Sequence, residues 1–220
     1  MFKHIIFDCD GVLVDSEALS MQLDVAILAE HGVAMSVAEA HRRFVGKTFA
    51  AMIAEVEAET GTRFPTSASA EKDRRLLDLY ATQLRAVPGV HEALTAINRA
   101  PYSCASNSPA ERVRVALAIT GLEPFFGSRI VSFEDVKHGK PAPDVFIETA
   151  RRMSVAPQEC LVVEDSVTGV TAAVRAGCTV LGFTGTWAHP EEHGMKLKAA
   201  GARAIFAEMA DLPGLVTAAS

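Results

Sequence analysis

Short apolar runs that each stop at a polar or acidic residue recur along this chain, and they restrict its fold more than any other feature. His4-Ile5-Ile6-Phe7-Asp8 is the first, a run too short for a helix and followed by a turn at Gly11. Tyr102–Ser106, Arg129–Ser132, Cys160–Asp165, Thr179–Phe183 and Ala204–Phe206 repeat the pattern. Helical signals lie between them. Ser108-Pro109 offers an N-cap and a proline at the first helical position. Pro143-Asp144 opens a stretch whose apolar face carries Phe146, Ala150 and Met153, and a helix from Val167 stops at Gly177. Strands that alternate with helices imply right-handed crossovers and a parallel sheet, an α/β architecture. Ligands bind such sheets at the carboxyl ends of the strands. Asp8, Ser106 and Glu164-Asp165 are far apart in sequence, yet this topology carries them to one edge.

Residues 17–86 have a different character. Leu19, Leu23, Ala26 and Ile27 recur at helical spacing, with Gly32 after His31 as a stop. Further helical stretches cover 37–45, 48–60 and 68–86, with no strand pattern among them. This segment reads as an all-helical insert, and Val87-Pro88-Gly89-Val90 as the hinge back. The expected division is a core of 1–16 with 87–220 and a helical cap domain of 17–86. Gly182 to Gly194 reads as a loop, with Trp187 packed at the edge of the core.

Composition narrows the classes of function. Of 220 residues, 49% are apolar and 22% charged, which supplies a core and argues against disorder. A net charge of −6 lacks the basic footprint of a nucleic-acid binder and the polybasic stretch that anionic membranes attract. No run of about 18 apolar residues exists to span a membrane. The start of the chain is too short in apolar residues and too acidic for a signal peptide. A cytoplasmic monomer is therefore expected. Cys9, Cys104, Cys160 and Cys178 form no Cys-x-x-Cys pair and read as buried reduced thiols. None of the seven histidines is assigned a partner, and His138 reads as an exposed loop residue.

The sharpest chemical signal is Phe7-Asp8-Cys9-Asp10-Gly11. Two carboxylates at i and i+2 leave a strand on the same side. A buried strand gains nothing from ending in like charges unless a cation or a reaction needs them. Asp8-x-Asp10-Gly11-x-Leu13-x-Asp15-Ser16 resembles the first motif of the haloacid dehalogenase-like (HAD) phosphohydrolases. Ala105-Ser106-Asn107-Ser108 is similar to their second motif, Gly139-Lys140-Pro141-Ala142-Pro143-Asp144 to the third, and Val162-Val163-Glu164-Asp165-Ser166-x-x-Gly169 to the fourth. The resemblance covers essentially the whole chain. A helical insert just after the first motif marks subfamily I, the group of phosphoglycolate phosphatases and β-phosphoglucomutase-like phosphatases.

The resemblance implies a Rossmann-like parallel core and a Mg²⁺-dependent phosphatase acting on a small phosphorylated metabolite, a sugar phosphate or sugar-acid phosphate. Asp8 is the implied nucleophile, forming an aspartyl-phosphate. Asp10 is the implied acid and base. Ser106, Asn107 and Lys140 would seat the phosphate. Asp8, the backbone carbonyl of Asp10, and Asp165 would hold the metal, with Glu164 binding it directly or through water. Within the cap, Val45-Gly46-Lys47-Thr48 resembles the loop that selects substrates, so Lys47 either reads a second anionic group or is a solvated lysine at a helix start. Haloacid dehalogenases proper and phosphonoacetaldehyde hydrolases lack an aspartate at the position of Asp10. The β-phosphoglucomutases carry a histidine at the position of Ser20. A mutase-type phosphotransferase is thus the alternative enzyme, and a non-catalytic binding module the alternative of another class.

Overall fold

The computed structural model describes residues 2–44, 47–97 and 101–219. The chain runs β1 (His4–Phe7), α1 (Glu17–Glu30), α2 (Val37–Phe44), α3 (Phe49–Thr60), α4 (Ala68–Gln83) and α5 (Val90–Ala96). It continues with β2 (Tyr102–Ser106), α6 (Ala110–Ile119), α7 (Glu123–Phe126), β3 (Ile130–Ser132) and α8 (Asp144–Arg152). The last elements are β4 (Cys160–Glu164), α9 (Val167–Ala176), β5 (Thr179–Phe183), α10 (Pro190–Ala200), β6 (Ala204–Phe206) and α11 (Leu212–Ala219). These divide into two compact units, residues 1–15 with 85–220 and residues 16–84.

In the larger unit the strands form one sheet in the order β3-β2-β1-β4-β5-β6, every pair parallel. Strand order reverses between β1 and β4, the switch point at which a crevice opens beyond the strand ends. Phe7 lies beside Cys104 on β2 and Val163 on β4, so the residues leaving β1 emerge next to those leaving its neighbours. Each strand is mostly apolar because helices cover both faces; the polar residues sit at strand ends, Ser103 within β2 excepted. Ile6, Val131, Val162 and Val180 pack with Phe146 and Ala150 of α8 and Val170 and Ala173 of α9. Phe7 points to the other face, edge-on to Tyr102 and Phe126 at 5.8 and 6.0 Å between ring centroids. Burial of each such side chain stabilises by about 1.5–3 kcal/mol.

His4, also in β1, is buried, and its Nε2 lies 2.8 Å from the Ser103 hydroxyl. Burial, helped by the charge of Arg129, pushes its pKa down to about 4. All four cysteines are buried and free. No helix among the described residues is long and apolar enough to cross a membrane.

The smaller unit has helices as its regular elements among the described residues, joined by loops. Leu28, Met52, Val56, Leu76 and Tyr80 fill its core. Lys72 of α4 crosses to Asp24 of α1 at 2.5 Å, both side chains nearly buried. Val45, which the sequence reading placed at a helix end, and Gly46 lie outside the described residues.

Two local expectations need correction. Ser108 does not cap α6: Pro109 occupies the cap position, and the Ser108 hydroxyl is drawn elsewhere. Gly182 to Gly194 is not one loop: β5 runs to Phe183 and α10 begins at Pro190, whose fixed φ suits a first helical turn.

Candidate active site

The turn after β1 is fixed by its own backbone. The Asp8 amide donates to Val163 O at 3.0 Å, holding the residue in line with the sheet. Gly11, at φ +78°, then lets the chain fold back so that Leu13 and Val14 both donate to Cys9 O. A side chain at Gly11 would also collide with Asp165, since its Cβ would lie 2.2 Å from Asp165 Oδ2. Glycine is required there twice over.

Lys140 arrives on the loop between β3 and α8, and its ammonium is buried among acceptors. Nζ donates to Asp8 Oδ1 at 2.7 Å, Glu164 Oε1 at 2.7 Å and Ala105 O at 2.9 Å. Three acceptors use all three of its protons. Asn107 locks the lysine backbone from both sides: Lys140 N donates to Asn107 Oδ1 at 2.8 Å, and Asn107 Nδ2 donates to Lys140 O at 3.1 Å. The side chain expected on phosphate is therefore engaged with the loop that carries Lys140.

Glu164 is wholly buried, with Oε2 accepting from both the Ser166 amide and hydroxyl. Asp8, Glu164 and Asp165 each present an oxygen within 4.8 Å of the others. Burial is the main force on Asp8 and pushes its pKa up to about 7; Lys140 pulls it down, while Glu164 and Asp10 push it up. Burial also disfavours the Lys140 ammonium, but Asp8 and Glu164 outweigh it and hold its pKa above the ordinary lysine range.

Asp10 is half-buried beside this cluster. The Ser108 hydroxyl donates to its Oδ2 at 2.6 Å and accepts in turn from Arg112 Nη2 at 2.6 Å. The Ser106 hydroxyl is buried at the end of β2 and accepts from the Ser108 amide at 3.0 Å. Asp8, Asp10, Ser106, Asn107, Lys140, Glu164 and Asp165 thus all lie at the carboxyl edge of one sheet. Lys47 belongs to the helical unit. Its Nζ pairs with Glu55 at 2.6 Å and sits 5.4 Å from the Phe44 ring centroid, in an exposed setting.

Sequence reasoning missed the loop after β5. Trp187 is not merely packing: its Nε1 donates to Asp165 Oδ2 at 3.0 Å. The expectation that no histidine has a partner is also overturned. His193 Nε2 donates to the backbone carbonyl of Asp165, and its ring stacks on Trp187 at 3.4 Å and 9°. Thr186 Oγ donates to Gly11 O at 3.0 Å. These contacts span well over a hundred residues or join separate elements, and no local pattern announces them. Arg112, in the first turn of α6 just after Ser108, could have been found from that nearness in sequence.

A family model described as haloacid dehalogenase-like hydrolase matches residues 2–177. The chain belongs to this hydrolase family. It is 31% identical over 182 residues to a 6-phosphogluconate phosphatase of Escherichia coli, covering 82% of each chain. Among solved structures it is similar to a conserved haloacid dehalogenase-like protein of unknown function from Agrobacterium tumefaciens, with a TM-score of 0.89 and 36% identity over 100% of this chain and 99% of that one. It is also similar to a HAD family hydrolase from Deinococcus radiodurans with bound phosphate and sodium, with a TM-score of 0.80 and 29% identity over 99% and 96% of the two chains.

Proposed function

We propose that this hydrolase is a Mg²⁺-dependent phosphatase that cleaves a small phosphorylated metabolite, a sugar phosphate or sugar-acid phosphate, through a phosphoryl intermediate on Asp8. The observation that carries the reading is the surroundings of Asp8: a buried carboxylate held by a fully engaged lysine, with two more carboxylates alongside and a hydroxyl-anchored Asp10 beside them. Its similarity to a 6-phosphogluconate phosphatase, whose name gives a sugar-acid phosphate as substrate, supports the substrate class.

The donor set fits a hard divalent cation. Asp8, Glu164 and Asp165 supply oxygens only, and Lys140 is the ammonium paired with two of them. Three carboxylates against one ammonium leave an excess of negative charge in a buried place, which a divalent ion offsets. Asp8, Asp165 and the backbone carbonyl of Asp10 would hold Mg²⁺, with Glu164 directly or through water. When bound, the ion supplies charge neutralisation that lets an anionic phosphoryl group approach anionic carboxylates.

The chain's own groups account for the remaining steps. Asp8 attacks phosphorus as the bond to the ester oxygen breaks, and Asp10 gives that oxygen its proton. Asp10 then takes a proton from water, whose oxygen attacks phosphorus and frees the Asp8 carboxylate with release of phosphate. Ser108 and Arg112 keep Asp10 aimed at this task. Ser106 and the amide of Asn107 that follows it seat the phosphoryl oxygens, assisted by the Lys140 charge. Asn107 positions Lys140. The helical unit, 16–84, serves as the cap that selects the substrate, with Lys47 reading a second anionic group. The larger unit carries the chemistry.

The reading is tested with p-nitrophenyl phosphate and a panel of phosphorylated metabolites that includes 6-phosphogluconate. Phosphate release should vanish in EDTA and return with Mg²⁺, and Asp8→Asn should retain less than about 1% of turnover, because an amide does not attack phosphorus. Turnover that survives EDTA, or survives in Asp8→Asn, removes the reading. Conversion of β-glucose 1-phosphate to glucose 6-phosphate faster than phosphate release would favour the mutase instead.

A further inference from the structure

The loop after β5 ties together parts of the edge that are remote in sequence. Thr186 binds the backbone of the turn after β1, through Gly11 O. One residue on, Trp187 binds the Asp165 carboxylate through its indole N–H. Asp165 is gripped a second time by His193, at its backbone carbonyl. A carbonyl oxygen only accepts, so Nε2 of His193 carries the proton. The two rings that hold Asp165 lie flat on one another at 3.4 Å, so neither turns without the other.

The loop itself has little freedom. Thr184 N donates to Phe206 O at 2.9 Å and Trp187 N to Thr184 O at 3.1 Å. At Gly185 even a methyl group would meet Ala207 O at 2.2 Å. The Asp165 oxygen that Trp187 binds, Oδ2, lies so close to Gly11 that no Cβ fits between them. A carboxylate otherwise rotates readily about its terminal bond. Here one of its oxygens is fixed by a rigid aromatic donor.

We infer that Trp187, backed by the stacked ring of His193, is a positioning residue that holds the Asp165 carboxylate in the orientation in which it receives the divalent cation. The inference rests on the metal role proposed for Asp165. A donor to a ligating carboxylate fixes the ligand's direction and removes the entropy loss of orienting it on binding; loss of such partners typically weakens metal affinity by roughly 10–100-fold. Trp187 makes no contact with the phosphoryl group in this scheme and is not a catalytic residue. It acts through Asp165.

Trp187 is the chain's one tryptophan, so wild-type protein carries its own reporter. The experiment titrates metal-free, full-length protein with MgCl₂ by calorimetry and by tryptophan emission. Emission should change with the same midpoint as the heat. Trp187→Phe keeps a ring against His193 and deletes the N–H. Its Mg²⁺ affinity should fall by roughly tenfold or more, with the half-saturating Mg²⁺ for turnover rising by the same factor and kcat at saturating Mg²⁺ staying within about twofold. A variant that merely loosened the fold would lower kcat at saturating metal as well.

Equal Mg²⁺ affinity in Trp187→Phe overturns the positioning role and leaves the metal reading intact. Absence of Mg²⁺ binding in the wild type overturns both. Should Trp187→Phe not fold, the wild-type emission decides: a spectrum unmoved by Mg²⁺, while calorimetry records binding, overturns the role.

Discussion

Replacing Gly169 by alanine separates two opposing physical effects that differ in sign. Within a helix, alanine is favoured over glycine by about 1 kcal/mol. Gly169 sits in the first turn of α9, so propensity alone expects a more stable protein. The structure expects the reverse. A Cβ at this position would lie 1.6 Å from Glu164 Oε1 and 2.0 Å from its carboxyl carbon. Carbon contacts settle at about 3.5–4.0 Å, so the carboxylate must retreat by roughly 2 Å or the helix must move. The same Oε1 is the acceptor for Lys140 at 2.7 Å, in a wholly buried setting. Retreat breaks that bond and leaves buried charges mismatched, and disrupting a buried pair costs about 3–5 kcal/mol. The helix gain offsets about 1 kcal/mol of this, for a net loss of about 2–4 kcal/mol. For a chain of this size that is a fall in Tm of roughly 4–16 °C.

The control is Gly214, which lies exposed in α11 with nothing within 4 Å of its would-be Cβ. Gly214→Ala should be neutral or raise Tm by a few degrees, since propensity acts there alone. Differential scanning calorimetry of both variants in EDTA reads the difference. A Tm for Gly169→Ala equal to or above wild type would refute the argument, because it would mean that Glu164 moves aside freely and the buried pairing with Lys140 carries no energy.

Ser108→Ala removes the hydroxyl that anchors Asp10; a hydrogen bond to a charged group is worth about 1.5–3 kcal/mol, so kcat should fall by roughly 10–100-fold with KM nearly unchanged, as steady-state kinetics would reveal. His4 has its folded pKa pushed from 6.5 down to about 4 by burial and Arg129, so between those values the unfolded chain binds the extra proton and stability is lost as pH falls. The loss amounts to about 3 kcal/mol, and urea denaturation of His4→Asn against wild type at pH 7 and pH 4 should show the gap narrowing in acid by that amount. Lys47→Ala should raise KM severalfold for the best doubly anionic metabolite and leave p-nitrophenyl phosphate turnover unchanged; equal effects on both would make the Glu55 pair its only role.

The sheet was legible because each strand is largely apolar and all but β6 end at or just before a polar residue. Tyr102–Ser106, Thr179–Phe183 and Ala204–Phe206 fall where the runs suggested. In a parallel sheet covered on both faces, burial and sequence hydrophobicity largely coincide, the buried polar residues His4, Ser103, Ser106, Ser132 and Glu164 being the exceptions. Helices of weak amphipathic signal were harder to read. The start of α10, Pro190-Glu191-Glu192-His193-Gly194, is polar and contains a glycine, so it passes for loop until its tertiary contacts are known. Ser108 shows the limit of local rules more sharply. Its hydroxyl is a good cap acceptor in isolation, yet Asp10, 98 residues away, claims it. Its proton goes to a carboxylate, and the lone pair a cap would offer to a backbone N–H accepts instead from the charged Arg112 guanidinium. Motif order was enough to expect Asp8, Lys140 and Asp165 at one edge, but Trp187 and His193 acquire meaning only when β5 is placed beside β4.

The edge is held together by charge that cannot be compensated locally. Register puts Asp8 next to Glu164 as β1 and β4 end, because Phe7 is paired with Val163. Two neighbouring carboxylates in a buried place repel, and burial penalises each of them. Their compensating ammonium comes from a different loop, 132 residues after Asp8 and 24 before Glu164. A slip of one residue in either strand would turn the acid away from the edge and into the apolar layer. The apolar pattern of β1 and β4 therefore fixes more than the sheet. By setting register, it decides which oxygen meets which charge, and Asn107, clamped to the backbone of Lys140, carries the same decision from β2 to the loop after β3.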